Sequence, residues 1–296
     1  MAETSASPAV RAWSRPRWLR SRTAATISLV FLAVLLIVAV VGTMVLPGNG
    51  TQISRDVLQA PSGQAWFGTD QLGRDQFTRM VYGARISLLV GFTAAGVAIL
   101  LGIAVGASAG FFGGVVDLVL MRISEFFQVI PTVIVAVAIV ALVGPSLGII
   151  IGVIAVLAWP QTARVARGEV MRVKELDFVN AVRCLGFREM PLLFREVIPN
   201  ALPAVMPLVA LGVADAILTE SSISFLGLGS PDTITWGLLL HEGQKNLLNA
   251  WWMVVIPGLA IFATVLSLNL VGDAISTALN PRLRLAGRAR PKGTSG

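Results

Sequence analysis

Apolar positions along this chain gather in long runs separated by shorter polar segments. A membrane-crossing helix needs about 20 mostly apolar residues. Six runs approach or exceed that length: Ala24–Leu46, Ile86–Phe111, Val115–Val143, Leu147–Trp159, Ala201–Leu226 and Trp251–Leu279. The fourth is short and is expected to continue past Pro160 to about Val165. One polar interruption stands out: between Arg164 and Asn200 lie Arg164, Arg167, Arg172, Lys174, Arg183, Arg188 and Arg195. An Arg or Lys at mid-bilayer costs roughly 2.5–3.5 kcal/mol on insertion scales, so this segment must lie outside the hydrocarbon while its flanks lie inside. The pattern predicts an all-α polytopic membrane protein with about six transmembrane helices and both termini on one side.

Within the basic segment, Pro160 to Leu185 alternates polar and apolar residues at helical spacing, with Val165, Val173, Leu176, Val179 and Val182 on the apolar side. Gly186 is expected to end that helix, since glycine is the usual residue just past a helix terminus. Leu192, Leu193, Phe194, Val197 and Ile198 then make a second short apolar-faced piece, which Pro199 and Pro203 end or bend. A helix, a glycine turn and a short helix, held outside the membrane, form a knob suited to the cleft of another protein.

Lys and Arg placement sets orientation. Eighteen of the 23 basic residues fall on one proposed side: five in residues 1–23, Arg122, the seven of the basic segment, and Arg282, Arg284, Arg288, Arg290 and Lys292. Arg55, Arg74, Arg79, Arg85 and Lys245 fall on the other. The asymmetry places both termini in the cytoplasm. The first apolar run is too long for a signal-peptide core of about 7–15 residues and reads as a retained span. The expected organisation is a cytoplasmic tail over 1–23, a six-helix membrane domain over 24–281 with an outer loop at 47–85 and a cytoplasmic loop at 164–200, and a cytoplasmic tail over 282–296. A second outer segment, Gly227–Ala250, carries Pro231, Trp236 and His241, and Trp251 and Trp252 stand where an aromatic belt would.

Composition agrees. Hydrophobic residues make up 55% of the chain and charged residues 13%, against about 25% charged in soluble domains, and the mean hydropathy is +0.79. The net charge of +7 is scattered between apolar spans rather than gathered on one folded face, which argues against a nucleic-acid partner. A single cysteine, Cys184, excludes an intrachain disulfide and reads as a buried or idle thiol.

Candidate chemistry is sparse. Glu125, Asp215, Glu220 and Asp273 fall in or near predicted spans, where acids are costly and face a cavity or a partner. Asp215 and Glu220 are candidates for lining a substrate path or relaying a proton, or else for bonding to neighbouring helices. His241 with Glu242 reads as a solvated outer pair rather than a metal site. Ser222 and Ser224 have no histidine and carboxylate arranged to activate them. Gly102, Gly106 and Gly110 form a small-residue stripe, suited to packing within the subunit or against a partner. None of Lys174, Lys245 and Lys292 follows a glycine, so no phosphate-binding Gly-Lys-[Ser/Thr] loop exists.

Several motifs resemble a known family. Ala181, then Gly186, then Ile198-Pro199-Asn200 is similar to the EAA loop of binding-protein-dependent ABC importer permeases, with Asn180-Ala181-Val182 standing where that family reads Glu-Ala-Ala. Phe67-Gly68-Thr69-Asp70, Leu72-Gly73-Arg74-Asp75 and Tyr82 to Leu88 resemble the start of C-type permeases of dipeptide and oligopeptide importers. Gly110 to Gly114 ahead of Asp117 and Arg122, Ser222 to Gly229, and Gly272-Asp273 before Asn280-Pro281-Arg282 fit the same pattern.

The resemblance implies a type I ABC importer permease fold, non-catalytic and without a cofactor or metal of its own. It implies a heterodimeric pore with a B-type permease, two ATPase subunits that bind the ATP and Mg²⁺, and an extracytoplasmic peptide-binding protein. Asn180, Ala181, Val182, Gly186, Ile198 and Pro199 would form the ATPase-coupling loop. The stretch Gly68–Ser87 would meet the binding protein or seal the pore mouth. Nickel importers of the same family share these motifs. A proton-coupled secondary transporter using Asp215 or Glu220 is the alternative from another class.

Overall fold

The computed structural model describes residues 22–46, 48 and 50–279. Most of the two basic tails and the Asn280-Pro281-Arg282 motif therefore lie outside the described residues. Ten α-helices are described, with no strand among the described residues. Five are long and apolar enough to cross a membrane, or six if a bent pair counts as one span.

The first helix, α1 (Arg22–Val45), lies against two others, α2 (Gln76–Phe112) and α10 (Trp252–Leu279). At 37 residues α2 is the longest; at 1.5 Å per residue it spans about 55 Å, well beyond a hydrocarbon core of about 30 Å. It begins at Gln76, ten residues before the apolar run that predicted it, because Asp75 caps its first turn by accepting from the Thr78 amide at 2.8 Å. The expected outer loop 47–85 therefore ends at Asp75, and Arg79 and Arg85 are helical.

The run Val115–Val143, predicted as one helix, is two. The first, α3 (Gly114–Val129), and the second, α4 (Thr132–Val143), meet at 83°. Pro131 causes the break: it pushes the residue before it out of the helical region, and Ile130 has φ −93° and ψ 132°.

A longer helix, α5 (Leu147–Lys174), starts at the Ser146 cap and passes through Pro160. It packs along α2, and here the glycine stripe has its use. A Cβ at Gly102 would sit 2.8 Å from the Trp159 carbonyl oxygen, at Gly106 2.2 Å from that of Ala163, and at Gly110 2.6 Å from that of Arg167. The stripe lets two backbones touch inside one subunit.

The predicted helix Pro160–Leu185 is not continuous. It stops at Lys174, and extended Leu176 opens α6 (Asp177–Cys184). A four-residue helix, α7 (Glu189–Leu192), and a π-helical turn, Leu193–Val197, lead into α8 (Ile198–Ile223), which continues through Pro203 and Pro207. A second π-helical turn, Ser224–Leu228, ends α8 at Gly227, whose φ of 86° is left-handed.

The segment 227–250, expected as an outer loop, contains α9 (Trp236–Gln244). Trp236 is fully buried; its indole N–H donates to the Met80 carbonyl at 3.1 Å and its amide to the Ser87 hydroxyl at 3.1 Å. Two of the apolar cores link the long helices. One joins α2, α8, α9 and α10 through residues such as Leu88, Ile217, Trp236 and Leu268. The other joins α2, α4, α5 and α8 through Val90, Val140, Ile154 and Ile223.

Candidate functional site

Three features stand out, one at each end of α2 and one between. At the C-terminal end, Val179 is fully buried and Val182 partly so, set among Ala107 and Phe111 of α2, Val170 and Val173 of α5, and Leu192 and Val197. These contacts seat α6 on the ends of the bundle. Lys174 strengthens the seat by donating to the carbonyls of Gly110 at 2.9 Å and Phe111 at 3.3 Å, cations being favourable at a helix C-terminus. Arg167 forks onto Asp117, with Nη2 to Oδ2 at 2.6 Å, and ties α5 to α3. Arg167 and Lys174, both in the basic segment, thus crosslink α5 to neighbouring helices.

The opposite face of the loop is open. Asn180, Ala181, Gly186 and Pro199 are exposed, and Ile198 is half-buried. Apolar side chains stand out around them: Phe178, Leu185, Phe187, Met190 and Phe194. Cys184 is a free, exposed thiol, so of the two expectations, buried or idle, the buried one is corrected; it lies on α6 two positions past Val182. The turn out of α6 is held by the Gly186 amide on the Arg183 carbonyl at 3.0 Å and by an Arg183–Glu189 ion pair at 3.5 Å. Gly186 has φ +83° with no atom within 4 Å of where a Cβ would sit. The glycine is required by backbone conformation, not by space.

Between the ends lies a cavity of about 590 Å³, walled by α2, α3, α4, α5 and α8. Ala95, Ile99, Leu157 and Leu211 give it an apolar base, and Gln128, Thr132, Gln161, Thr162, Asp215 and Thr219 bring polar groups to it. Asp215 and Glu220 were paired as candidates, and the structure separates them. Five residues on a helix of 3.6 per turn are about 140° apart. Asp215 is exposed at the cavity. Glu220 is buried away from it and accepts from the Ser224 hydroxyl at 2.7 Å. Glu220 is thus held by hydroxyls, and its carboxylate is not brought together with that of Asp215 at the cavity. Glu125 is exposed and pairs with Arg122 at 3.1 Å, and Asp273 is exposed near the end of α10.

At the N-terminal end of α2 the sequence reading missed a charge cluster. Asp70 accepts from the amides of Leu72 and Arg74 at 2.8 and 2.9 Å, closing the tight turn that Gly68 and Gly73 make at positive φ. Its other oxygen takes Arg74 at 2.6 Å and Arg79 at 2.5 Å. Arg79 also forks onto Glu242 of α9, at 2.5 and 3.1 Å. Glu242 is thus a structural ion-pair partner, not the solvated residue expected of it, because its own helix folds back onto α2. His241 contacts the Phe225 carbonyl at 2.8 Å. The signal available in sequence was the four-residue spacing of Asp70 and Arg74; the partner Glu242 is 163 residues from Arg79.

The family model described as "Binding-protein-dependent transport system inner membrane component" matches residues 98–285. The chain is 37% identical over 276 residues to the dipeptide transport system permease protein DppC of Bacillus subtilis, covering 92% of this chain and 85% of that protein. It is 34% identical over 269 residues to the oligopeptide transport system permease protein OppC of the same organism, covering 90% and 88%. Among solved structures, the inward-facing MetNI methionine ABC transporter superposes with a TM-score of 0.55 at 20% identity, over 68% of this chain and 95% of that one, a likeness of fold. The all-α fold is that of a type I ABC importer permease, and the chain is a multi-pass membrane protein. Because the family model spans well over half of its 296 residues, this chain belongs to the binding-protein-dependent transport system inner membrane component family.

Proposed function

We propose that this chain is one of two permease subunits in an ATP-driven peptide importer, and that α6 with its glycine turn is the element that a cytoplasmic ATPase grips. The observation that carries this reading is the two-sided character of the loop. Val179 and Val182 fasten it to the ends of α2 and α5, while Phe178, Leu185, Phe187 and Met190 face outward and are covered by none of the described residues. Exposed apolar clusters rimmed by charge mark protein interfaces, and Arg183, Arg188 and Arg195 supply such a rim.

A domain that closes on ATP can reposition membrane helices only through a stiff element that both parts hold. Here α6 is that element, α5 and α2 are the levers, and the cavity they wall is half of the passage. A second, B-type permease supplies the other half. Two ATPase subunits bind the nucleotide and Mg²⁺, and an extracytoplasmic binding protein delivers the substrate. In this reading both termini and the basic loop lie in the cytoplasm, an orientation that the distribution of Lys and Arg supports. The relatives named for dipeptide and oligopeptide transport support short peptides as the substrate class.

The test is a pull-down of the tagged native chain and of Gly186→Asp in mild detergent. An L-residue at φ +83° is strained by about 1–2 kcal/mol, and the new carboxylate sits amid the arginine rim. The native chain is expected to recover an ATPase subunit and a second permease, and the variant to keep the permease and lose the ATPase. Recovery of the chain alone in both cases would contradict the reading.

A further inference from the structure

Asp215 is the one ionisable residue among those lining the cavity, and no described residue pairs with its charge. It lies eight residues, about 12 Å, inside the end of α8. Its carboxylate has neither an ion pair nor a hydrogen bond among the described residues; besides the helix's own bonds, its backbone carbonyl accepts from the Thr219 hydroxyl at 2.8 Å. The other membrane-embedded acid of the same helix, Glu220, is buried and satisfied by hydroxyls. A carboxylate left free at this depth is expensive and marks a path for a solute or ion. Around it the polar groups are neutral: the amides of Gln128 and Gln161 and the hydroxyls of Thr132, Thr162 and Thr219. Such groups exchange hydrogen bonds with a peptide backbone without regard to sequence. They carry no charge with which to hold the ammonium group that every unblocked peptide bears.

From this arrangement we propose that Asp215 is the cation-recognition point of the passage, receiving an ammonium group of the translocated peptide while the neutral amides and hydroxyls take its backbone. The assignment rests on the peptide-importer reading above. One chemistry has two sources here, the peptide's N-terminal amine and a lysine side chain, and the passage uses the N-terminal amine, since it is present on every unblocked substrate.

The experiment uses the complete importer reconstituted in vesicles with its binding protein, and measures uptake of tri-alanine and of Ala-Lys-Ala by the native, Asp215→Asn and Asp215→Glu forms. Loss of one charge-assisted contact is expected to slow uptake by Asp215→Asn about tenfold, for both peptides alike, with ATPase co-purification unchanged and most of the rate restored in Asp215→Glu. A loss confined to Ala-Lys-Ala would move recognition to the side chain and overturn the N-terminal assignment. Uptake unchanged in Asp215→Asn would overturn the proposal outright. So would failure of both variants to assemble with the second permease, which would make Asp215 a structural partner of that subunit. A native complex that takes up neither peptide would defeat the substrate reading itself, whereas native uptake indifferent to Asp215→Asn defeats the role of Asp215 alone.

Discussion

Arg79 carries its charge with about 1% of its surface exposed and divides it between Asp70, which is wholly buried, and Glu242. Such a cluster is not a strong source of stability in itself, because the desolvation of each ion offsets most of the attraction. Removing one member is costly, since it strands the others, and breaking a buried pair costs about 3–5 kcal/mol. Arg79→Met is therefore expected to lower the thermal midpoint of the detergent-solubilised protein sharply, and Arg79→Lys to rescue it only in part, because an ammonium cannot fork onto Glu242 as the guanidinium does. A midpoint unmoved by Arg79→Met would show that the cluster does not hold the outer loop to α9. Sequence reading found the residues of this turn through Gly68, Asp70, Gly73 and Arg74, but not their purpose. The third member, Glu242, is brought in by a helix that local pattern did not reveal. The same limit separated Asp215 from Glu220: composition marks both as acids in a span, and only helix geometry shows that they face different ways.

At the scale of elements, α6 divides cleanly into an anchored side and an exposed side, and substitutions on the two should behave differently. Val179→Asn removes a fully buried anchor and leaves a polar group in an apolar seat, so both thermal stability and ATPase co-purification should fall. Phe187→Ala trims an exposed ring, so co-purification should weaken with the thermal midpoint unchanged. Equal loss of stability in both would mean that the outer face is packing rather than an interface. The helices most legible in sequence, α1, α8 and α10, are those whose existence depends on hydropathy, which reads the membrane directly. The first turns of α2 were hidden because a polar cap and ion pairs, not apolar periodicity, sustain them. The burial of α9 depends on partners 149 and 156 residues away. The bend between α3 and α4 did have a local signal in Pro131, overridden by the unbroken apolar length around it.

At the scale of the whole molecule, α2 has ends in two different polar environments and a middle that helps to wall the cavity. At one end the Asp70–Arg79–Glu242 cluster fixes a loop and a short helix; at the other, Lys174 and the Val179 seat fix the helix proposed to meet the ATPase. The family and the broad architecture were legible in motif order and run length, while the distinction between structural and free charges required the fold. Cys184, the one cysteine of the chain and exposed on α6, allows the central claim to be tested without engineering. The measurement is its rate of labelling by a membrane-impermeant maleimide in right-side-out vesicles, in inverted vesicles, and in inverted vesicles stripped of ATPase subunits. The account predicts no labelling in the first, slow labelling in the second and fast labelling in the third. Labelling in right-side-out vesicles, or equal rates with and without the ATPase, would contradict it.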